Sequence, residues 1–275
     1  MISDITLGQF FPGDSLLHRL DPRTKIIASI LYMTAVFCAK NLFMYTAMIL
    51  LTVAIILAGH ISLRQVLRSL RPLVWVLLIT GILNLFFTSG EGEPLFSFWF
   101  IRVYTVGIWR AILMAVRVLL LVAGTSVLLT YTTSPIRLTD GLESLLSPLK
   151  KLHVPVHEFA MMMTIALRFI PTLIEETDKI MKAQKARGAD FSSGGLIRRA
   201  KALIPVLVPL FVSSFQHAMD LATAMECRCY HGGEGRTKLH ELRFGKADLA
   251  VLLFSALVLV GIILGNRFIL IGNVI

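Results

Sequence analysis

Long runs of apolar residues recur along the chain, and they restrict its fold more than any other feature. Hydrophobic residues make up 56% of the 275 residues, and charged residues only 16%. A helix needs about 20 predominantly apolar residues to cross the hydrocarbon core of a bilayer. The sequence therefore predicts an all-α polytopic membrane protein with about five transmembrane helices. The predicted helices are residues 26–39, 42–58, 72–88, 106–131 and 249–264.

The first apolar run carries a signal for the start of a helix. Asp21 and Pro22 stand at its inner end. A carboxylate just before a helix accepts hydrogen bonds from the first free backbone N–H groups, and proline suits the first helical position. We therefore expect this helix to begin at Pro22.

Basic residues are distributed unevenly around the apolar runs, and their distribution predicts the orientation in the membrane. Three precede the first run and three separate the second run from the third, whereas the next loop carries two glutamates. These residues are Arg19, Arg23, Lys25, Arg64, Arg68, Arg71, Glu91 and Glu93. Because loops rich in lysine and arginine stay in the cytosol, the N-terminus is expected there and the C-terminus outside.

The stretch between the fourth and fifth runs is basic, helix-rich and only partly apolar. We predict a membrane domain at 1–131, a cytosolic module of three long helices at 132–246, and a final transmembrane helix with an outer tail at 247–275. The predicted helices of the module are residues 137–151, 155–187 and 196–228. Two apolar segments of the module, 156–174 and 202–215, could also enter the bilayer, because adding both would preserve the orientation.

Prolines interrupt the two longer helices of this module. Pro171 lies within the first, and Pro205 and Pro209 lie within the second. A proline inside a helix removes a backbone hydrogen bond and clashes with the preceding turn, so a bend is expected at Pro171. We expect Arg168 to bind carbonyl groups freed by this bend or to anchor the helix at the membrane interface.

Each of these two helices is predicted to end at an arginine, Arg187 or Arg228. Gly188 follows the first, and glycine commonly ends helices in the left-handed conformation. A guanidinium at a helix C-terminus is favoured by the helix dipole and can bind carboxylates or carbonyl groups of a partner. The two arginines could thus engage two similar partner sites, although solvated arginines at helix ends are also common.

Arg117 lies near the middle of the fourth apolar run. A charged side chain at that depth is costly unless it faces protein or water. We expect a structural pair with a polar neighbour such as Asn84, and a substrate or partner contact is the alternative.

Signals for catalysis and for nucleic-acid binding are weak. The glycine-rich segment at Gly232-Gly233 lacks the Gly-Lys-Ser/Thr end of a phosphate-binding loop, so we expect no ATP hydrolysis in this chain. The net charge of +10 fits cytosolic loops, and no nucleic-acid motif accompanies it. No metal site or bound cofactor is expected. A polytopic membrane enzyme is the alternative class, but it would need polar residues clustered within the spans.

Several motifs occur in a characteristic order along essentially the whole chain. They are Phe11-Pro12-Gly13-Asp14-Ser15, Leu17-His18-Arg19-Leu20-Asp21-Pro22-Arg23-Thr24-Lys25, Leu167-Arg168-Phe169-Ile170-Pro171, Ala186-Arg187-Gly188 and Cys227-Arg228-Cys229. In this order they resemble the transmembrane T component of energy-coupling factor (ECF) transporters, a CbiQ-like family.

The resemblance implies a non-enzymatic subunit of an ABC importer in a bacterial cell membrane. Such a subunit links ATP hydrolysis by two cytosolic ATPases to vitamin or micronutrient uptake through a membrane substrate-capture (S) subunit. ATP and Mg²⁺ are then expected on the partner ATPases, and S components and the lipid bilayer are the other partners. A subunit shared by several S components and one dedicated to biotin, cobalt or nickel both remain open.

The resemblance also implies that the two arginine-centred tripeptides dock onto the ATPases. The residues concerned are Ala186, Arg187, Gly188, Cys227, Arg228 and Cys229. The second tripeptide departs from the commoner Ala-Arg-Gly form, because Cys229 stands where glycine is usual. We therefore expect a different helix end after Arg228, with Gly232-Gly233 supplying the turn.

Overall fold

The computed structural model describes residues 11, 13–87, 96–98, 101–191, 195–232 and 242–268. Pro12, Glu91, Glu93 and Gly233, which entered the sequence interpretation, lie outside these ranges. The helices are α1 (Leu16–Arg19), α2 (Pro22–Cys38), α3 (Leu42–Ala58), α4 (Leu63–Leu70), α5 (Val74–Phe87), α6 (Thr105–Thr125), α7 (Pro135–Leu146), α8 (Val156–Ala186), α9 (Leu196–Cys227) and α10 (Lys246–Phe268).

Shorter elements connect these helices. A 3₁₀ turn at Arg71–Leu73 leads into α5, and another at Ser147–Leu152 follows α7. α6 continues as a π-helical segment, Ser126–Tyr131. Two three-residue strands, β1 (Phe96–Phe98) and β2 (Ile101–Val103), form an antiparallel hairpin between α5 and α6.

The expectation of an all-α polytopic membrane protein with about five spanning helices is confirmed. Among the described residues, five helical segments are long and apolar enough to cross a membrane: Leu63–Phe86, Thr105–Tyr131, Val156–Ala186, Ile197–Cys227 and Lys246–Arg267. The set differs from the predicted one, because α2 and α3 have 17 residues each. This length gives about 26 Å of helix, slightly less than a hydrocarbon core of about 30 Å. The segments in α8 and α9, which were not among the predicted spans, are long and apolar enough to cross a membrane. This agrees with the alternative in which both enter the bilayer.

The chain divides into two compact units. The larger unit comprises Gly8–Ser144 and Leu242–Ile275, and Leu145–Glu241 belongs to the smaller one, which we call the hairpin unit after α8 and α9. Most of α7 therefore belongs to the larger unit, where a Cβ on Gly141 would lie only 2.8 Å from Pro22. These units are defined by packing, so the membrane boundaries proposed at residues 131 and 246 stay predictions.

In the larger unit, α2 and α10 run parallel and make polar contacts at both ends. Asp248 accepts a hydrogen bond from the backbone N–H of Asp21 at 2.8 Å. At the other end, the Asn266 side chain donates to the carbonyl of Cys38 and accepts from the N–H of Lys40. The paired residues are 227 positions apart at one end and 228 at the other. The two helices therefore pair with nearly the same offset in residue number along their whole length.

The predicted start of α2 is confirmed. Pro22 is its first residue, and the Asp21 carboxylate accepts a hydrogen bond from the backbone N–H of Arg23 at 2.9 Å. This contact satisfies one of the backbone donors that a helix N-terminus leaves free.

Lys25, near the start of α2 and before the first predicted span, is buried. Its ammonium group donates hydrogen bonds to the Thr132 carbonyl at 2.9 Å and to the Thr133 hydroxyl at 3.0 Å. Burial, with a smaller contribution from the nearby Arg137, lowers the pKa of Lys25 to about 8. The lysine thus ties α2 to the segment between α6 and α7.

The middle of α2 contacts both α3 and α6 through Tyr32. Its hydroxyl donates to the Leu120 carbonyl at 2.9 Å and shares a hydrogen bond with the Thr52 hydroxyl at 2.8 Å. A Cβ on Gly124 would overlap the Tyr32 ring. Glycine at this position therefore allows α6 to approach α2 closely, and the three helices meet around one tyrosine.

Candidate partner-docking site

α8 ends at Arg187 in a Schellman motif. The backbone N–H of Ala189 donates to the Gln184 carbonyl at 3.0 Å, and that of Gly188 donates to the Lys185 carbonyl at 3.0 Å. Gly188 has a φ of +89°. These are the two hydrogen bonds and the left-handed residue that define the motif. The predicted helix stop at Gly188 is confirmed, and Arg187 is the cap residue.

α9 ends in the same motif, with Arg228 as its cap residue. The backbone N–H of Tyr230 donates to the Met225 carbonyl at 3.1 Å, and that of Cys229 donates to the Glu226 carbonyl at 2.8 Å. Cys229 has a φ of +56° and takes the position that glycine has after α8. The two helix ends are therefore equivalent in backbone geometry.

The expectation of a different end after Arg228 is wrong. Cys229 itself adopts the left-handed conformation, at a cost of about 1–2 kcal/mol for a residue with a Cβ. Gly232 also has a positive φ, +98°, but it lies beyond the hydrogen bonds that end the helix. The departure from the usual tripeptide thus changes the strain at this end and leaves its geometry unchanged.

α8 and α9 pack against each other in antiparallel directions. The contacting pairs are Gln184 with Pro205, Glu176 with Ser213, and Phe169 with His217. Residue numbers therefore decrease along α8 as they increase along α9. The C-terminal ends of the two helices, and with them Arg187 and Arg228, lie at opposite ends of the pair. Arg228 lines a groove together with Met161, and about 39 Å of helix separates Met161 from Arg187.

A polar cluster joins α8 and α9 near the middle of the hairpin unit. One carboxylate oxygen of Glu176 accepts a hydrogen bond from the Ser213 hydroxyl. The other lies 3.6 Å from Nε2 of His217, whose ring packs at a tilt against Phe169 with 6.2 Å between the centroids. Because the Glu176 side chain is only 24% exposed, these contacts are partly shielded from water.

The prolines of α9 create a second contact between the two helices. Pro209 has no backbone N–H to donate to the carbonyl of Pro205, four residues earlier. The side chain of Gln184 on α8 donates to that carbonyl at 3.3 Å instead. Both helices remain helical through Pro171, Pro205 and Pro209, and the bend at Pro171 stays a prediction.

Arg168 on α8 lies beside the end of α9. It lines a groove of about 570 Å³ together with Arg228. Both side chains are exposed, and neither guanidinium forms a hydrogen bond or ion pair with a residue that the structure describes. The contact with carbonyl groups near Pro171 that the sequence suggested is therefore not formed within the described residues.

The predicted pair of Arg117 with Asn84 is wrong. The guanidinium of Arg117 donates to the Ala39 carbonyl at 3.0 Å and lies 5.7 Å from the centroid of the Tyr45 ring. Asn84 donates to the Thr80 carbonyl of its own helix at 2.9 Å. A carbonyl at the end of α2 lacks an N–H partner within its helix and is therefore available to the arginine.

One side of α9 exposes a continuous set of large apolar side chains. They recur three or four residues apart, the spacing of one helix face. The set comprises Leu203, Ile204, Leu207, Val208, Phe211, Val212, Phe215 and Met219. Such a face is typical of a helix that contacts lipid or another protein.

Comparisons with known proteins agree on one family. A family model described as a cobalt transport protein, CbiQ, matches residues 13–239. Relatives named energy-coupling factor transporter transmembrane protein EcfT occur in Clostridium kluyveri (52% identity over 97% of this chain and 98% of the relative), Acidaminococcus fermentans (54%; 90% and 91%) and Bacillus subtilis (48%; 92% and 94%). Both arginine-capped helix ends fall within the family match.

Proposed function

The chain belongs to the CbiQ family of cobalt transport proteins, and on this basis we propose that it is the transmembrane energy-coupling component of an ECF importer. Relatives of that name match nearly its whole length. The observation that carries the proposal furthest is the pair of equivalent helix ends, each capped by an exposed arginine. In this role the chain has no catalytic site, and ATP and Mg²⁺ bind to partner subunits.

Two cytosolic ATPase subunits are the proposed partners of Arg187 and Arg228. The same cap geometry at both ends suits two sockets of similar shape. The separation of about 39 Å along α8 suits one arginine for each of two subunits. Arginine presents a planar fork of donors, which matches a carboxylate or a set of carbonyl groups in such a socket.

A membrane S component is the proposed partner of the apolar surfaces. The exposed face of α9 and the exposed Met162 and Met163 of α8 would contact this subunit or the bilayer. Methionine side chains pack without strict demands on shape, which suits a surface that docks and releases a partner.

In the proposed orientation the N-terminus is cytosolic, because basic residues flank the first apolar run on that side.

The antiparallel packing of α8 and α9 suits the transmission of force. Closure of the ATPases on ATP would move the two sockets, and the linked helices would convey that movement to the S component. The Glu176 cluster and the Gln184 contact hold the helices together between their two arginine ends. The cargo is proposed to be a vitamin or micronutrient that the S component selects.

Alanine substitution of the two arginines tests this function. Removing one partner of a buried charge pair at an interface costs about 2–5 kcal/mol, which weakens affinity more than tenfold. We expect Arg187→Ala and Arg228→Ala each to reduce co-purification of the ATPases, and the double variant to abolish it together with uptake. Lys185→Ala, an exposed cation in the last turn of α8, serves as the control. Unchanged ATPase binding and uptake in the double variant would refute the proposal.

A further inference from the structure

Arg168 and Arg228 reach the same groove from different helices. They are 60 positions apart in the chain, and the antiparallel packing of α8 and α9 brings them together. We infer that Arg168 is a second carboxylate-binding residue beside the α9 end, so that the partner is held there by two arginines. The inference rests on the proposed function, because it concerns the same docking end.

The charge of this groove favours an acidic ligand. None of the described residues that line it is acidic, and Arg168 and Arg228 are its two arginines. Two cations that line one groove without a described counterion repel each other and raise the local positive potential. A carboxylate from another chain would relieve this repulsion and could accept hydrogen bonds from both guanidinium groups.

The groove also has an apolar floor, which indicates the kind of side chains that would accompany the carboxylate. Met161, Ile165, Leu221 and Met225 supply apolar surface beside the arginines. Three of these residues also line an adjoining cavity of about 310 Å³, whose other walls include Phe169 and Leu173. A protein segment with an acidic residue next to apolar side chains complements this surface in both charge and polarity. We therefore assign the groove to such a segment of an ATPase subunit.

The test measures ATPase binding by purified variants of the full chain in neutral detergent. We expect Arg168→Ala to weaken binding about tenfold or more, because it removes a charge-assisted hydrogen bond from a partly desolvated carboxylate. Arg168→Lys keeps the charge but loses the fork, so it should fall between the wild type and alanine. Lys179→Ala, which removes an exposed cation of α8 outside the groove, should bind like the wild type.

A double variant tests whether the two arginines act on the same group. If both bind one carboxylate, Arg168→Ala combined with Arg228→Ala should weaken binding by less than the product of the single effects. Hydrogen exchange along α8 should be unchanged in Arg168→Ala. Loss of binding accompanied by faster exchange along α8 would instead mark a structural role and overturn the inference.

The outcomes separate the inference from the function on which it rests. If Arg228→Ala weakens ATPase binding and Arg168→Ala leaves it at the wild-type value, the inference fails and the function stands. If neither variant weakens binding, both fail. Arg168→Ala could also weaken ATPase binding only in vesicles that contain an anionic phospholipid, and not in neutral detergent. That result would assign the groove to a lipid phosphate and would also overturn the inference.

Discussion

At the residue scale, the two arginine-capped helix ends differ in the side chain that follows the arginine. Gly188 adopts a positive φ without a Cβ penalty, whereas Cys229 adopts it with one. The capping hydrogen bonds are the same at both ends. No additional hydrogen bond of the α9 cap therefore compensates for the conformational penalty at Cys229. The end of α9 should therefore open more readily than the end of α8.

Exchanging these residues tests that difference. We expect Cys229→Gly to stabilise the α9 end by about 1 kcal/mol, which slows amide exchange at positions 229 and 230 about fivefold. The mirror substitution Gly188→Cys should speed exchange at the α8 end by a similar factor. Hydrogen exchange read by mass spectrometry gives both values in one experiment. Equal exchange in Cys229→Gly and the wild type would show that Cys229 is not strained.

The N-terminal motif has a structural explanation at the same scale. Phe11 donates its backbone N–H to the Tyr131 carbonyl at 3.1 Å, Asp21 contacts Asp248, and Lys25 contacts Thr132. Residues of one short segment thus contact α10 and the residues that follow α6, both distant in sequence. We attribute the motif to the assembly of the larger unit rather than to contact with a partner.

At the element scale, polar side-chain contacts help to align α8 with α9. Glu176 contacts Ser213 and His217 in the middle of the pair, and Gln184 contacts Pro205 nearer the α8 end. These contacts lie between the two arginine caps. If the proposed function is correct, loosening these contacts should affect the transmission of movement more than the binding of the ATPases.

Glu176→Ala tests this separation of docking from transmission. The change leaves the Ser213 hydroxyl without its carboxylate, at a cost of about 1 kcal/mol for a group that is partly exposed. We expect nearly normal ATPase co-purification but less substrate transported per ATP hydrolysed. Glu176→Gln should be milder, because its carbonyl oxygen can still accept from Ser213. Glu175→Ala, which removes the exposed neighbouring carboxylate, is the control. A normal transport ratio in Glu176→Ala would contradict the account.

Local signals predicted individual elements well. Leu42–Ala58 matches the predicted second span residue for residue, Asp21 caps α2, and Gly188 ends α8. Each of these depends on neighbours in sequence. The conformation of Cys229 escaped prediction because a preference for glycine is statistical, and a cysteine can be held at positive φ when the surrounding hydrogen bonds favour it.

Contacts between elements were predicted less well. Arg117 was expected to pair with Asn84 and instead binds the Ala39 carbonyl, because the turn after α2 lies beside α6. The proximity of Arg168 to Arg228 depends on the antiparallel register of α8 and α9, and no local pattern encodes that register. The contact of Gln184 with Pro205 did have a local signal: Pro209 has no backbone N–H, so the Pro205 carbonyl is left free for a neighbouring helix.

At the scale of the whole molecule, the chain combines two differently built units. The larger unit is tied together around α2, which contacts α3, α6 and α10 through side-chain hydrogen bonds. The hairpin unit consists mainly of two long helices that expose both arginine caps and a broad apolar face. A unit of that kind is suited to contacting several partners at once, as the proposed function requires.

Photo-crosslinking in native membranes tests the central claim most directly. A photoreactive amino acid is placed at Ala186 and at Cys227, the exposed residues that precede the two arginines, and at Met219 on the apolar face of α9 as a comparison. The account predicts that positions 186 and 227 each form a crosslink to an ATP-hydrolysing subunit, and that position 219 crosslinks to a small membrane protein or to lipid. Crosslinks from 186 and 227 to lipid alone, or none to any ATPase, would contradict it.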